Sequence, residues 1–392
     1  MSMSDELATL LCEAFNDGSG SITPPIVQSS LFSFDSYEAF EDRMAGRSKN
    51  AIYSRVDNPT VAAFEASIAR AEGADAAIGF GSGMGAISST LLALVKPGDH
   101  VACVEHVYPD AYRMFERLLR PFGVNISYHP VSEFDSDPDL LAGVDVAYLE
   151  SPNSLMFETM NLSRVADYAK QHGALTIVDN SWATPVFQRP IEHGIDIVLH
   201  SASKYISGHS DTVAGVVTAS HDLVNRVRDL TLPLLGSKLA PFEAWLLVRG
   251  LRTLVPRMQR HQASTNQIID LLRSLDGVES VLTPDIDVNG GIIGRSGLFS
   301  VCFDPSVDIR VLCNHLTLFR LGVSWGGFES LALPARVGLA QAGAANSMRR
   351  FAVPDNLVRF SIGLESVEDL WGDLESSIGH ARQRPASRVS TA

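Results

Sequence analysis

The chain has 392 residues, of which 45% are hydrophobic and 19% charged, with a formal net charge of -14 and a pI of about 5.2. This balance is typical of a globular protein that is long enough to form more than one core. An acidic chain without a run of Lys and Arg argues against a nucleic acid or an anionic membrane as partner.

The cysteines and the N-terminal sequence predict a cytoplasmic protein. Four cysteines stand far apart or outside any Cys-x-x-Cys pair, which favours reduced thiols over a disulfide framework or a metal site. Residues 1–11 contain acids and no basic segment ahead of an apolar core, so no signal peptide is expected. No apolar run reaches the length that spans a membrane.

The first 50 residues predict an extended arm rather than an independent core. Aromatic residues stand there among polar ones, at Phe32, Phe34, Tyr37 and Phe40. We expect this arm to pack on another surface, and a neighbouring subunit is one candidate for it.

A helix is predicted to begin at Asn58-Pro59, because Asn is a favoured N-cap and Pro is favoured at the first helical position. Tyr53 and Arg55 precede this start. Their local pattern alone indicates exposed polar positions ahead of a helix.

Residues 76–80 predict a strand, and residues 81–85 (GSGMG) predict the turn into the next helix. Backbone N–H groups at such a turn, together with the helix N-terminus, can bind a phosphate. Gly81-x-Gly83-x-x-Ala86, followed by Asp99, also satisfies a loose dinucleotide fingerprint. A glycine turn that serves only tight packing is a third interpretation.

As far as residue 200, apolar strand patterns alternate with helical ones, at 100–104, 144–149, 175–178 and 195–199. Such alternation predicts an α/β domain with a mostly parallel sheet covered on both faces by helices. In these sheets ligands bind outside the carboxyl ends of the strands. Polar residues follow those ends here: Tyr108, Glu150, Asp179 and the segment 201–204 (SASK).

The pattern changes near residue 248. A long helical pattern at 251–275, interrupted early by Pro256, precedes strands at 296–303 and 356–362 and helices at 307–318 and 366–378. We therefore predict a smaller α+β domain over residues 248–392, after the arm at 1–50 and a large domain at 51–247. The polar, basic tail 381–392 predicts disorder.

The polar residues at the strand ends suit one cofactor. Lys204, Asp179, Tyr108 and the glycine turn supply an amine, a carboxylate, an aromatic ring and phosphate donors. Pyridoxal phosphate requires a lysine that forms a Schiff base and a carboxylate beside its ring nitrogen. Asp179 would favour the charged form of that nitrogen. The sequence shows no cluster of metal ligands, no phosphate-loop lysine motif and no nucleophile elbow.

Several segments resemble the Cys/Met-metabolism (trans-sulfuration) family of pyridoxal phosphate enzymes. They are residues 53–60 (YSRVDNPT), 178–185 (VDNSWATP), 200–204 (HSASK) with 208–211 (GHSD), 249–254 (RGLRTL) and 358–365 (VRFSIGLE). The resemblance covers about residues 22 to 375. It implies the fold type I, aminotransferase-like architecture, with a homodimer as the minimal active unit and a homotetramer as the expected assembly.

The resemblance also implies roles for single residues. Lys204 would be the Schiff-base lysine, Asp179 would pair with the ring nitrogen, and Tyr108 would stack on the ring. The phosphate would be held by Gly83, Met84, Ser201 and Ser203, and by Tyr53 and Arg55 of the neighbouring subunit. Substrate would be bound by Arg359, through its α-carboxylate, and by Ser324, Trp325 and Tyr53.

Two segments resemble those of bacterial cystathionine β-lyases, namely 150–155 (ESPNSL) and 322–331 (GVSWGGFESL). Residues 108–111 (YPDA) lack the common Tyr-Gly-Gly-Thr, and Val323 stands where β-lyases tend to carry Tyr. The resemblance therefore implies a lyase that cleaves a β or γ carbon–heteroatom bond of a sulfur-containing or related amino acid. Alternatives within the family are γ-elimination, as in methionine γ-lyase-like or canavanine-cleaving enzymes, and cystathionine γ-synthase-like replacement.

In the expected mechanism Lys204 removes the Cα proton and Tyr108 is the candidate acid for the leaving atom. A γ leaving group would need a second proton removed from Cβ, by Lys204 or by Tyr108. The alternative from another class is a nicotinamide-dependent dehydrogenase built on Gly81-x-Gly83-x-x-Ala86. It would leave Lys204, Ser203 and Asp179 without a role.

Overall fold

The computed structural model describes residues 3–13, 15, 20–287, 290–343 and 345–382. The predicted disordered tail lies, from residue 383 onward, outside the described residues. The helices are α1 (Met3–Leu11), α2 (Tyr37–Met44), α3 (Pro59–Glu72), α4 (Gly83–Leu94), α5 (Pro109–Met114), α6 (Val131–Ser136), α7 (Leu162–His172), α8 (Thr184–Phe187), α9 (His221–Leu230), α10 (Pro241–Leu251), α11 (Leu254–Arg273), α12 (Ile309–His315), α13 (Ala335–Leu339), α14 (Ser347–Arg350) and α15 (Val367–Arg382).

The strands are β1 (Ala76–Phe80), β2 (His100–Val104), β3 (Asn125–His129), β4 (Val146–Glu150), β5 (Leu175–Asp179), β6 (Ile197–His200), β7 (Gly215–Ala219), β8 (Val278–Leu282), β9 (Leu298–Phe303), β10 (Arg320–Leu321), β11 (Leu331–Pro334) and β12 (Leu357–Ser361). A short 3-10 helix spans Pro190–His193, and π-helical turns span Phe115–Leu119 and Thr231–Leu235.

The larger sheet has seven strands in the order β1-β7-β6-β5-β4-β2-β3. Strands β2 to β6 pair in parallel, and β7 pairs antiparallel with both β6 and β1. Strand β1 therefore runs in the same direction as the central strands. Because of this, the carboxyl ends of β1, β2, β4, β5 and β6 lie along one edge of the sheet, which we call the rim.

The strands of this sheet are short, apolar and buried, as helices on both faces require. The prediction of a mostly parallel α/β sheet is thus confirmed, with one antiparallel strand inside it. Strand β4 starts two residues later than expected and includes Glu150, and β5 includes Asp179. Both acids are therefore the last residues of their strands.

Two helices that lead to the rim begin as their sequences predict. The Asn58 side chain accepts hydrogen bonds from the N–H groups of Thr60 and Val61, with Pro59 at the first helical position of α3. Ser82 caps α4 by accepting from the N–H of Gly85.

The smaller sheet has the order β10-β11-β12-β9-β8 and packs against α11, α12 and α15 around a separate apolar cluster. The predicted strands and helices of this part are present, with shifted ends. Pro256 does not interrupt the long helix. The break lies at residues 252–253, and Pro256 falls in the first turn of α11, where its missing N–H costs no helical bond.

The two sheets are built from residues 76–219 and 278–361. The predicted boundary after residue 247 falls within α10, which packs on α3. The division into an arm and two domains stays a prediction. No helix within the described ranges combines the length and the apolar character needed to cross a membrane.

The N-terminal arm is less extended than predicted. Its first segment forms α1, whose Leu7 and Leu11 are buried against α3 and α11 of the same chain. Residues 37–44 form α2, which buries none of its residues within the chain. The prediction of a wholly extended segment was wrong at these places, because apolar residues at helical spacing outweighed the polar context.

Candidate active site

The rim brings two acidic side chains next to each other. In the pairing of β4 with β5, Glu150 stands opposite Asp179. Burial raises the pKa of Asp179, and hydrogen bonds from Ser181 oppose that rise. Burial and then the neighbouring Asp179 carboxylate raise the pKa of Glu150. A cation placed against Asp179 would stabilise its ionised form, so this position suits a protonated ring nitrogen.

Lys204 lies beyond β6, at the same rim. Its amine Nζ donates to Ser324 Oγ at 2.6 Å and lies 5.4 Å from the centre of the Trp325 ring. Burial, and then the positive charge of Arg359, lower the pKa of Lys204 to about 8, while Asp179 opposes that effect. The amine is therefore easier to deprotonate than an ordinary lysine, as a nucleophile or base requires.

The segment that carries Ser324 is packed against the backbone of Lys204. Gly326 has a φ of 85°, and a Cβ on it would lie 2.9 Å from the N of Tyr205 and 3.1 Å from the Cα of Lys204. Only glycine fits this close approach. The contact joins residues of the smaller-sheet part to the rim of the larger sheet.

The glycine turn after β1 has the features of an anion site. A Cβ on Gly83 would lie 2.9 Å from Ser201 Oγ, so the hydroxyl faces the Gly83 backbone. The first N–H groups of α4, on Gly83 and Met84, have no intrahelical acceptor, and Ser82 caps only Gly85. The Ser203 hydroxyl, in contrast, donates to Ala214 O and accepts from Ala214 N.

Arg359 lies on β12, in the other sheet, and reaches the same site. Its Nη2 donates to the carbonyl oxygens of Val323 at 3.0 Å and Ser324 at 3.2 Å. Within the described residues, Nη1 and Nε make no hydrogen bond, which leaves donors for a carboxylate. Burial lowers the pKa of Arg359 to about 10.

Tyr108 lies close to Asp179, Glu150 and Arg359. Its backbone N–H donates to Glu150 Oε1 at 2.8 Å, and its hydroxyl donates to Asp110 Oδ2 at 3.1 Å. Tyr108 is 40% exposed, so part of its surface is open to a ligand. Asp110 was not among the predicted site residues. The signal for it was the unusual Tyr-Pro-Asp segment at 108–110.

A buried pair behind Asp179 was also missed. His200 Nε2 lies 2.5 Å from Glu72 Oε1, and both side chains have no exposed surface. Glu72 Oε1 also accepts from Asn180 Nδ2 at 3.2 Å. Because 128 residues separate the members of this pair in sequence, no local pattern could indicate it.

Tyr53 and Arg55 are not brought to the rim within one chain. Both are exposed, and the Arg55 guanidinium lies 5.5 Å from the centre of the Tyr53 ring. Across the described ranges, neither side chain makes a hydrogen bond or ion pair with Lys204, Asp179 or Ser201.

The dinucleotide interpretation of the glycine turn does not hold. That fingerprint follows a strand with parallel neighbours, whereas β1 is an edge strand whose one neighbour, β7, is antiparallel. Asp99 precedes β2 and accepts from the N–H of Lys96, so it lies at the start of a strand and not at the rim.

The fold and the donor set together define a class. A mostly parallel sheet with an amine, an acid and an anion-binding turn at one rim, and an arginine from a second sheet, fits a fold type I pyridoxal phosphate enzyme. The residues fit the cofactor: Asp179 suits its ring nitrogen, Lys204 its aldehyde, and the Gly83–Ser201 contact leaves backbone and hydroxyl donors for its phosphate.

Comparisons with known proteins agree with that class. The family model described as Cys/Met metabolism PLP-dependent enzyme matches residues 9–379. The chain is 34% identical over 376 residues to an L-methionine gamma-lyase of Pseudomonas putida, covering 92% of this chain and 94% of the relative. It is 33% identical over 369 residues to a cystathionine beta-lyase of Lactococcus lactis subsp. cremoris, with the same coverage of both.

A crystal structure of cystathionine gamma synthase from Xanthomonas oryzae pv. oryzae, in complex with cystathionine, superposes with a TM-score of 0.88 at 31% identity. It covers 97% of this chain and 99% of its own. The chain therefore belongs to the Cys/Met metabolism family of pyridoxal phosphate-dependent enzymes. The prediction of this family, its fold and its cofactor is confirmed.

Proposed function

We propose that this enzyme is a lyase that cleaves the bond between the β carbon and a heteroatom of a sulfur-containing or related amino acid. The observation that carries the proposal is the convergence of Lys204, Tyr108 and Arg359 around Asp179. An amine, a phenol and a guanidinium so close together would suit a cofactor and the carboxylate of its substrate. The β-lyase relative and the Ser324-Trp325 segment support the β position.

The roles follow from the chemistry of each side chain. When bound, pyridoxal phosphate supplies the electron sink that stabilises negative charge at the substrate Cα. Arg359 would bind the α-carboxylate, with Ser324, Trp325 and Tyr53 lining the substrate position. Lys204 Nζ would hold the cofactor, and then, as a free amine, remove the Cα proton. Tyr108 Oη would donate a proton to the leaving atom.

The remaining site residues would hold the cofactor. Gly83 and Met84 would bind the phosphate through backbone N–H groups, and Ser201 through its hydroxyl. The Ser203 hydroxyl donates a hydrogen bond to Ala214 O. To bind the phosphate, it would have to give up this hydrogen bond or share its proton between the two acceptors. Asp179 would pair with the ring nitrogen.

We propose a homodimer as the minimal active unit and a homotetramer as the assembly, in the cytoplasm. Tyr53 and Arg55 would reach the phosphate of the neighbouring subunit's cofactor. Support comes from apolar side chains of the arm that one chain leaves exposed, among them Ile22 at 71%, Tyr37 at 74% and Met44 at 66%. Patches of this kind mark contact surfaces.

A second candidate is γ-elimination or γ-replacement. At 34% identity the γ-lyase relative is at least as similar to this chain as the β-lyase relative at 33%, and the γ synthase shares the fold. Val323, 81% exposed, offers no polar group to the distal end of a substrate such as cystathionine. This observation favours a small or differently built leaving group.

The oxo acid released from cystathionine, cystine, methionine and canavanine separates the candidates. The β-lyase proposal predicts pyruvate, with ammonia and a thiol. Release of 2-oxobutyrate, or of a product such as homoserine, would select the γ reaction. Release of no such product from any of the four would count against both.

A further inference from the structure

We propose that Asp110 is a positioning residue for Tyr108, which orients the phenol within the site and keeps the proton on its oxygen. The inference rests on the proposed function to the extent that Tyr108 is the acid for the leaving atom. It deepens that function because it assigns the phenol to proton donation only, and it concerns a residue at which the chain departs from the common Tyr-Gly-Gly-Thr segment.

The hydrogen bond between the two side chains is built into one rigid turn. Tyr108 occupies the N-cap position of α5, Pro109 the first helical position and Asp110 the second. Proline fixes its own φ and restricts the conformation of the residue before it. Pro109 therefore limits the backbone conformations that Tyr108 can adopt. The phenol hydroxyl then donates to Asp110 Oδ2 at 3.1 Å.

Asp110 is in turn held from its other oxygen. Arg113 Nη1 donates to Asp110 Oδ1, and Arg113 Nη2 donates to Gln341 Oε1. Gln341 follows α13 in the smaller-sheet part, so the chain of contacts crosses between the two sheets. Helix α14 packs on α5 beside it, with the Tyr112 and Phe351 rings 5.7 Å apart edge to face. The Asp110 side chain is 45% exposed, but both of its carboxylate oxygens accept hydrogen bonds, one from Tyr108 and one from Arg113.

Charged groups from several elements act on the Tyr108 hydroxyl. They are Asp110 on its own helix, Asp179 and Glu150 at the ends of β5 and β4, and Arg359 on β12. Burial, and then the Asp110 charge and hydrogen bond, raise the pKa of Tyr108 well above its ordinary value. A phenol in this setting keeps its proton at neutral pH, so it is available as a donor, once its O–H turns from Asp110 to the leaving atom, and not as a base. Removal of protons from carbon is then left to Lys204.

The first test uses the apoprotein and needs no turnover. Asp110→Asn keeps the shape and an acceptor oxygen but removes the charge. Phenolate absorbance is recorded against pH, and the curve of Tyr108→Phe in the same background is subtracted to isolate Tyr108. We expect no Tyr108 signal in the wild type up to about pH 11, and a midpoint lower by about 1 pH unit or more in Asp110→Asn. Tyr108 midpoints that coincide in the wild type and in Asp110→Asn would overturn the proposal.

The second test follows kcat/KM against pH in the holoenzyme. Because Asp110→Asn makes the phenol lose its proton more easily, the alkaline decline should move to lower pH, with kcat falling more than KM rises. Asp270→Asn is the matched control, since Asp270 pairs with Arg273 at the same spacing in an exposed position. An Asp110→Asn profile that matches this control would overturn the role. If the wild-type enzyme releases no oxo acid, the proposed function fails. The titration of the apoprotein still decides the role of Asp110 in that case.

Discussion

The rim of the larger sheet and the segment that follows the N-terminal arm hold their proposed site residues in opposite states. At the rim, Lys204 is already bonded to Ser324, and Glu150 to Tyr108. Just after the arm, Tyr53 and Arg55 are exposed and lie against each other. The contrast teaches that one chain brings its rim residues together by itself, whereas the role that we propose for Tyr53 and Arg55 would require a second chain.

The largest effect is expected at the rim. Lys204→Ala removes the amine that would hold the cofactor and the base for the Cα proton, so turnover should fall by about 10²–10⁴-fold or more. The absorbance band of the bound cofactor, at the edge of the visible range, should also vanish in this variant. Retention of full turnover would remove the lysine from the mechanism.

The role proposed for Arg55 is tested by mixing two inactive variants. Arg55→Ala should lose activity because the neighbouring site lacks a phosphate ligand, and Lys204→Ala loses its own site. Unfolded and refolded together, they should regain up to about a quarter of wild-type activity, because half of the random dimers carry one native site. No recovery, in mixtures that native mass spectrometry shows to contain mixed dimers, would place Arg55 in the site of its own chain.

A third comparison sets a buried pair behind the rim against an exposed pair in the arm. Glu72→Ala leaves His200 buried without its partner and should lower the free energy of unfolding by about 3–5 kcal/mol. Asp42→Ala breaks the exposed contact with Arg47, 2.7 Å long, and should cost no more than about 1 kcal/mol. Urea unfolding of the two apoproteins measures both. Equal losses would contradict the contrast between the two regions.

The smallest effect is a shift in a pH profile. Because only the neutral amine attacks an aldehyde, the rate of cofactor uptake by the apoprotein should rise with pH and level off above about 8, the pKa of Lys204. Arg359→Gln removes a positive charge that lowers this pKa, so the rise should move to higher pH. Arg359→Lys retains a charge and should leave the profile close to that of the wild type. A profile that both variants leave unchanged would argue against this coupling.

The positions of the rim residues could be predicted from the sequence, because each lies at or just after the end of a strand. Asp179 and Lys204 come directly after apolar runs, and parallel strands bring such ends together. Arg359 could be found only through the family resemblance, since it lies on the other sheet and no local pattern distinguishes it from a surface arginine. Glu72 and His200 were missed for the same reason, because tertiary packing alone makes them neighbours.

Predictions from local sequence patterns failed where two patterns in the same segment favour different structures. Polar residues around α1 and α2 concealed their helical spacing, and Pro256 was taken as a break although it occupies a first turn. Asp110 had a visible signal in the replacement of glycine by Pro-Asp after Tyr108. Its meaning depends on the hydrogen bond to the phenol, which only the folded chain specifies.

The central claim is that the amine of Lys204 carries the pyridoxal cofactor. Borohydride reduction of the freshly purified holoenzyme, followed by peptide mass spectrometry, tests it most directly. The account predicts a stable pyridoxyl phosphate group on the peptide that contains Lys204, absent from Lys204→Ala. A reduced cofactor attached to a different lysine, or to none, would contradict it.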